Sequence, residues 1–287
     1  MELLAEVIQN PSITPENVEK ARRTMRHLAA QSAAKVRSRA EREFLEKLFP
    51  GTFLSNPVVG TVESIDSISL EEIVSFHRNY FCPGNMIVTV VSALPLTKTA
   101  QIVSETLGSL PPGPEIERPP ARYEPMAKGP IEVVVEGQRN YVIWGYPFPY
   151  DPRRESGLRV ASDLFSSAIT FQWREIEGGA YNMGASYSHY GDVGWFWTKI
   201  GTTRQPQDAL EAVQRSFEEF KGRKVTENDV IRSVNALTGW RLMKLMTREG
   251  RAYRLAMREL AGDPIGDVGE AIDPPNRSEV KLPDPWL

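Results

Sequence analysis

Arg174 and Tyr181 are the side chains whose types and spacing best suit one piece of chemistry. They lie in Phe171-Gln-Trp-Arg-Glu-Ile-Glu-Gly-Gly-Ala-Tyr181, where a helical run meets two glycines and then an alternating stretch. If the helix ends near Glu177 and Gly178-Gly179 lets the chain double back, a guanidinium and a phenol reach one groove although seven residues separate them. Such a pair can hydrogen-bond a peptide carbonyl, or polarise it as negative charge develops. The same residues also fit an arginine on the last turn of a helix, favoured by the helix dipole, and a half-buried strand tyrosine. Spacing leaves both readings open.

Other chemistry finds little support. His27, His77 and His189 are too far apart in sequence for a paired-histidine metal site on one helix or strand. There is no Gly-x-Ser-x-Gly elbow, phosphate-binding loop or dinucleotide fingerprint. The single cysteine, Cys82, excludes an internal disulfide framework. Most glutamates fall on helix faces expected to be solvated. The aromatic group Tyr187, Tyr190, Trp195, Phe196 and Trp197 suits sheet packing, with a peptide-lining surface as the other reading.

The elements that must position Arg174 and Tyr181 follow from periodicity. Leu158, Ala161, Leu164, Phe165 and Ala168 keep helical spacing and lead into the arginine. Residues 184–190 and 195–200 read as strands across the turn Gly191-Asp-Val-Gly194. Residues 131–135 and 141–146 form another strand pair, with Pro147 and Pro149 closing the second. Upstream, Thr14 caps a helix opened by Pro15, and a long helical stretch breaks near Ser32 and ends at Gly51. Ser69-Leu-Glu-Glu72 is a capping box, with Ile73, Phe76 and Tyr80 on one helix face. Residues 86–91 form a short β-branched apolar run, expected to be a buried strand. Downstream come a helix over 206–220, the capping box Thr226-Glu-Asn-Asp229, and a helical segment over 230–261 with a break at Gly250.

Seven prolines in residues 111–130 predict an extended linker. The expected domains are therefore residues 1–110, the linker 111–130, residues 131–262 and an irregular tail, 263–287. The order of elements predicts an α+β fold of two related domains, each a mainly antiparallel sheet covered by helices. The 287 residues, 41% hydrophobic, suffice for a substantial core. With 34 basic against 37 acidic residues and a net charge of -3, nucleic acid is not the expected partner. No apolar run reaches the length of a membrane span. A soluble, cytoplasmic chain is expected, or a periplasmic one if a signal peptide has been lost.

Trp173-Arg-Glu-Ile-Glu-Gly-Gly-Ala-Tyr181 resembles the Leu-Arg-Glu-x-x-Gly-Leu-Ala-Tyr signature in the C-terminal domain of the insulinase-like zinc peptidases (pitrilysin, mitochondrial processing peptidase). Leu48-Phe-Pro-Gly51, Val59-Gly-Thr61, Ile68-Ser-Leu-Glu-Glu72, Phe76-His77, Tyr80-Phe-Cys-Pro83 and Asn85-Met86 resemble the latter part of that family's N-terminal domain. Val225-Thr226 before a long helix is similar as well. The departures concern the metal. The family's His-x-x-Glu-His motif is absent, and its distant glutamate, aligned through Glu19-Lys-Ala-Arg22, would fall near His27-Leu28, where no carboxylate stands. Ser92-Ala93 replaces a usual Gly-Asp. The resemblance thus implies an incomplete N-terminal domain, no catalytic or metal-binding residue and no cofactor on this chain, and zinc on a catalytic partner.

In two-chain members of that family, the subunit without the zinc motif supplies the arginine-tyrosine pair. By this resemblance the chain is an inverzincin-type non-catalytic subunit, inactive alone. Arg174 and Tyr181 would hold substrate peptide beside a partner's zinc site in a heterodimer, a homodimer being the other arrangement. The alternatives are a structural or assembly protein that keeps the fold without hydrolysis, as core subunits of a respiratory complex do, and a fragment of a complete zinc peptidase.

Overall fold

A computed structural model describes residues 1–114, 129–176, 178, 180–262 and 274–284. The described residues fall into two units, each drawn from separate stretches of chain. Most of the expected linker lies outside the described residues.

The unit that carries Arg174 and Tyr181 comprises the described residues of His27–Thr61, Pro120–Leu237 and Ile272–Leu287. Its centre is a four-stranded antiparallel sheet of order β1-β2-β4-β3, formed by β1 (Ile131–Val135), β2 (Asn140–Pro149), β3 (Ala180–Tyr190) and β4 (Val193–Thr202). β3 and β4 meet in a two-residue turn, Gly191-Asp192, where Gly191 takes the left-handed conformation at φ 58°. The sheet is covered on both faces, so its central strands are buried on both. Val142, Trp144, Tyr146 and Phe148 of β2 enter one core with helices α7 (Glu155–Thr170) and α8 (Pro206–Gly222), while Tyr141 and Ile143 enter a second core with helix α3 (Val36–Leu48). This is period-2 geometry with apolar residues on both sides. The edge strand β1 alternates buried and exposed along its length. Aromatic rings fill both layers: Trp144 packs 4.8 Å from Phe217, and Phe49 meets Trp195 edge-on at 5.4 Å. Phe196, Trp195 and Trp197 are core residues, which is the packing reading of the aromatic group.

Pro147 does not close β2, contrary to the sequence expectation. The strand runs through it, pairs with β4 up to Pro149↔Val193 and ends at Pro149. β1 has already ended at Ile131↔Gly145, so on that side the prolines need supply no ladder donor.

The other unit, within Met1–Arg26, Val62–Pro119 and Thr238–Ala271, is helical among the described residues. It contains α1 (Glu2–Gln9), the start of α2 (Pro15–Ala34), α4 (Val62–Ser67), α5 (Leu70–Tyr80), α6 (Leu96–Thr106), the end of α9 (Glu227–Lys244) and α10 (Arg248–Ala261). Thr14 caps α2 through the Asn17 amide at 3.2 Å, and Ser69 and Glu72 cap α5 reciprocally. A small core joins Ala5 and Ile8 to Leu107 and Leu110. Arg22 donates to the carbonyls of Ile65 and Ile68 and so ties α2 to the α4–α5 corner.

Residues 86–91 correct a second expectation. They belong to no strand, and Ile87, Val88 and Val90 are exposed, because no other segment among the described residues pairs with them. A β-branched run becomes a strand only when a neighbour accepts its ladder bonds. The α+β class with antiparallel pairing stands, and the one sheet described belongs to the unit of Arg174. The break expected at Gly250 falls at residues 245–247, where Thr247 caps α10 through the Gly250 amide at 3.0 Å.

Candidate functional site

The corner carrying the Arg/Tyr pair is built in four steps. α7 lies on β3, held at one level by Ser166, whose hydroxyl accepts the Ala185 amide at 3.1 Å. A π-helical turn, Phe171–Ile176, then widens the end of the helix. Trp173 on this turn is 2% exposed and joins the main core, with the Arg204 guanidinium 5.7 Å from its ring, whereas the neighbouring Arg174 is exposed. Gly178 follows at φ 63°, a left-handed conformation that a residue without Cβ adopts at little cost, and the chain reverses into β3.

Tyr181 occupies a β-bulge. Ala180 pairs with Thr202 and Asn182 with Gly201, so Tyr181 is the extra residue on the edge strand. Its backbone is described; its side chain lies outside the described set, as do Glu177 and Gly179. The helix-glycine-strand order read from the sequence is therefore the backbone order here.

A second polar group, not singled out from the sequence, braces the opposite end of α7. Glu155 opens the helix and accepts the hydroxyls of Tyr150 at 2.6 Å and Tyr187 at 3.2 Å, and Arg159 one turn on pairs with it. Tyr150 stacks on His189 with ring centres 3.8 Å apart. Burial works to raise the Glu155 carboxyl, but the hydrogen bonds from Tyr150 and Arg159 outweigh it and hold the group below the ordinary carboxylate range. Burial and the adjacent carboxylate push the Tyr187 phenol up to about 12, and burial lowers the His189 imidazole. Every member is engaged by another, which makes this a brace between α7 and β3, with no spare acid, base or nucleophile. Its members come from residues 150–159 and 187–189, a spacing that no sequence motif joins.

Zinc does not fit the residues described. No group of three or more histidine, cysteine, aspartate or glutamate side chains among them could hold a metal ion. His27 hydrogen-bonds Gln31 at 2.8 Å, and His77 stacks on Phe81. No helix of the described residues is long and apolar enough to cross a membrane.

Comparison with known proteins places this architecture. Among curated relatives, an uncharacterized zinc protease of Rickettsia felis is 24% identical over 286 residues, covering 98% of this chain and 67% of that protein. A Helicobacter pylori protein described as the non-peptidase homolog YmxG is 23% identical over 239 residues, covering 79% of this chain and 54% of its own length. The crystal structure of a peptidase M16 inactive domain from Pseudomonas fluorescens superposes with a TM-score of 0.82 at 17% identity, over 97% of this chain and 68% of that one. The fold is thus of the insulinase-like M16 type. The family described as "Peptidase M16 inactive domain" matches residues 67–237, more than half of the chain, and this protein belongs to it.

Proposed function

We propose that this chain is the non-catalytic partner in a two-part M16 metallopeptidase, holding substrate peptide through Arg174 and Tyr181 while a catalytic subunit supplies the zinc. The observation that carries the reading is the placement of both residues on one short corner. Arg174 is exposed on the turn that closes α7, and Tyr181 occupies the bulge of the edge strand β3. An edge strand offers unpaired main-chain groups to which an extended peptide can add. Guanidinium and phenol groups suit a peptide carbonyl, whose negative charge grows during hydrolysis. The zinc-protease name of the Rickettsia felis relative supports a place beside zinc chemistry. The metal ligands belong on the partner, because the described residues here supply no set that fits.

The test is peptide cleavage by the reconstituted complex of this chain and its catalytic subunit. Replacing Arg174 by Ala and Tyr181 by Phe together is expected to lower kcat/KM about tenfold or more, with zinc content and complex formation unchanged. Unchanged kcat/KM would overturn the role. The Helicobacter pylori relative, described as a non-peptidase homolog, favours a second reading: an assembly protein that keeps the fold and takes no part in hydrolysis. Under that reading the double variant leaves cleavage untouched, and the chain's effect is on the stability of the complex.

A further inference from the structure

A cleft of about 720 Å³ lies in the same unit as the Arg/Tyr corner, between the end of α8, the α8–α9 loop and the C-terminal strap 276–284. The strap is held in place. Tyr146 donates its hydroxyl to the Pro283 carbonyl at 2.8 Å, Val280 and Leu282 enter the main core, and Asn276 and Glu279 cap the turn Arg277–Glu279 reciprocally. Gly157 of α7 packs against it so closely that a Cβ there would stand 2.4 Å from the Glu279 carbonyl oxygen. The cleft wall is therefore preformed.

The lining inverts the charge of the molecule. Among the described residues, Lys221, Arg223, Lys224, Arg277 and Lys281 line the cleft with Asp284 as the one lining carboxylate, in a chain whose net charge is -3. Arg223 is partly spent on the buried Asp229, 2.7 Å away, and Lys221 lies 3.9 Å from Glu218. Lys224, Arg277 and Lys281 have no side-chain hydrogen bond or ion pair within the described residues. Five like charges converging on one concavity repel each other, and an anion placed among them relieves that repulsion. The lining also carries the apolar side chains of Phe220, Val225, Val280 and Leu282.

We propose that this cleft binds a small organic polyanion, with phosphate or clustered carboxylate groups on the lysine and arginine side chains and an apolar face on Phe220 and Leu282. A volume of this size suits a ligand of nucleotide scale. Guanidinium groups bind phosphate and carboxylate oxygens in pairs, while lysines supply mobile point charges. This site is separate in residues from Arg174 and Tyr181 and does not depend on the peptidase reading.

Calorimetric titration of the full chain with ADP, inorganic pyrophosphate and citrate tests it. Saturable one-to-one binding is expected for at least one of the three, weakening as salt is raised. The phosphate probes and citrate distinguish phosphate from carboxylate chemistry, and ADP binding tighter than pyrophosphate reports the apolar part of the lining. In the variant Lys224→Glu/Arg277→Glu/Lys281→Glu, binding is expected to fall by about a hundredfold or more, with the circular dichroism spectrum and melting temperature kept, since all three side chains are exposed. The control Lys20→Glu/Arg23→Glu/Arg78→Glu changes net charge equally at exposed residues outside the cleft and is expected to bind as the parent does. No saturable binding up to about 5 mM, or equal loss in both triple variants, would overturn the proposal.

Discussion

Glu155 shows how one side chain sets both the placement of a helix and its response to pH. Its pKa is held below the ordinary carboxylate value, so its contribution to stability is complete above that value and is lost as pH falls through the lowered one. His189, held neutral by burial, adds to the same acid limb, beginning higher, as pH falls through the histidine range. Glu155→Gln is expected to cost about 1–2 kcal/mol at pH 7 and to flatten the lower part of the acid limb, which thermal melts between pH 7 and 3 would show. If the variant's melting temperature falls with pH as steeply as the parent's, the brace does not set the acid limb. Gly145 is a second residue fixed by its surroundings. A Cβ there would stand 2.2 Å from the Phe196 carbonyl oxygen and 2.9 Å from the Phe44 ring. Gly145→Ala is therefore expected to destabilise the sheet by about 1–3 kcal/mol, measured by chemical denaturation.

Two corners at the scale of elements depend on glycine for different reasons. At Gly178 an added Cβ meets nothing within 4 Å, so the cost of Gly178→Ala is that of the left-handed backbone alone, about 1 kcal/mol. That small cost falls on the turn joining Arg174 to Tyr181. Cleavage by the reconstituted complex is expected to drop more than stability does, and Gly178→Asn, which tolerates this conformation better, is expected to recover part of it. Equal loss of cleavage in both variants would argue against a conformational role. Gly250 is the opposite case, with an ordinary φ but no space. A Cβ there would lie 1.8 Å from the Lys244 carbonyl oxygen, so Gly250→Ala must shift the corner between α9 and α10. A loss of about 1–3 kcal/mol is expected in denaturation of the helical unit.

The two units differ, across the whole molecule, in how their apolar residues are used. Around the sheet, large side chains such as Phe44, Tyr146, Phe165 and Phe196 are fully enclosed. In the helical unit, Phe76, Tyr80, Ile87, Val88 and Tyr253 are exposed, and α5 buries no residue at all. Local opening is cheapest where few apolar contacts and no ladder bonds hold the backbone. Hydrogen exchange should therefore be slowest in β2 and β4 and fast over residues 86–91. Slow exchange over 86–91 would show that the segment has a ladder partner in solution.

Much of this protein was legible in its residues because the signals are local. Capping at Thr14, Ser69 and Thr226, a hairpin turn opening at Gly191 and the glycine corner after Arg174 each depend on a few neighbours in sequence, although the turn proved two residues long and not four. The Arg-Glu-x-x-Gly-x-Ala-Tyr run, together with the stretches of residues 48–86, also marked the family before any fold was described. Long-range pairing decided the rest. Whether residues 86–91 form a strand depends on a partner, and whether β2 runs past Pro147 depends on where β1 ends. The brace at Glu155 and the basic cleft join residues tens of positions apart, brought together by burial of the strap and the aromatic core. Period and capping are properties of neighbouring residues, whereas a partner strand, a cavity wall or a convergence of charges exists only once the chain has packed.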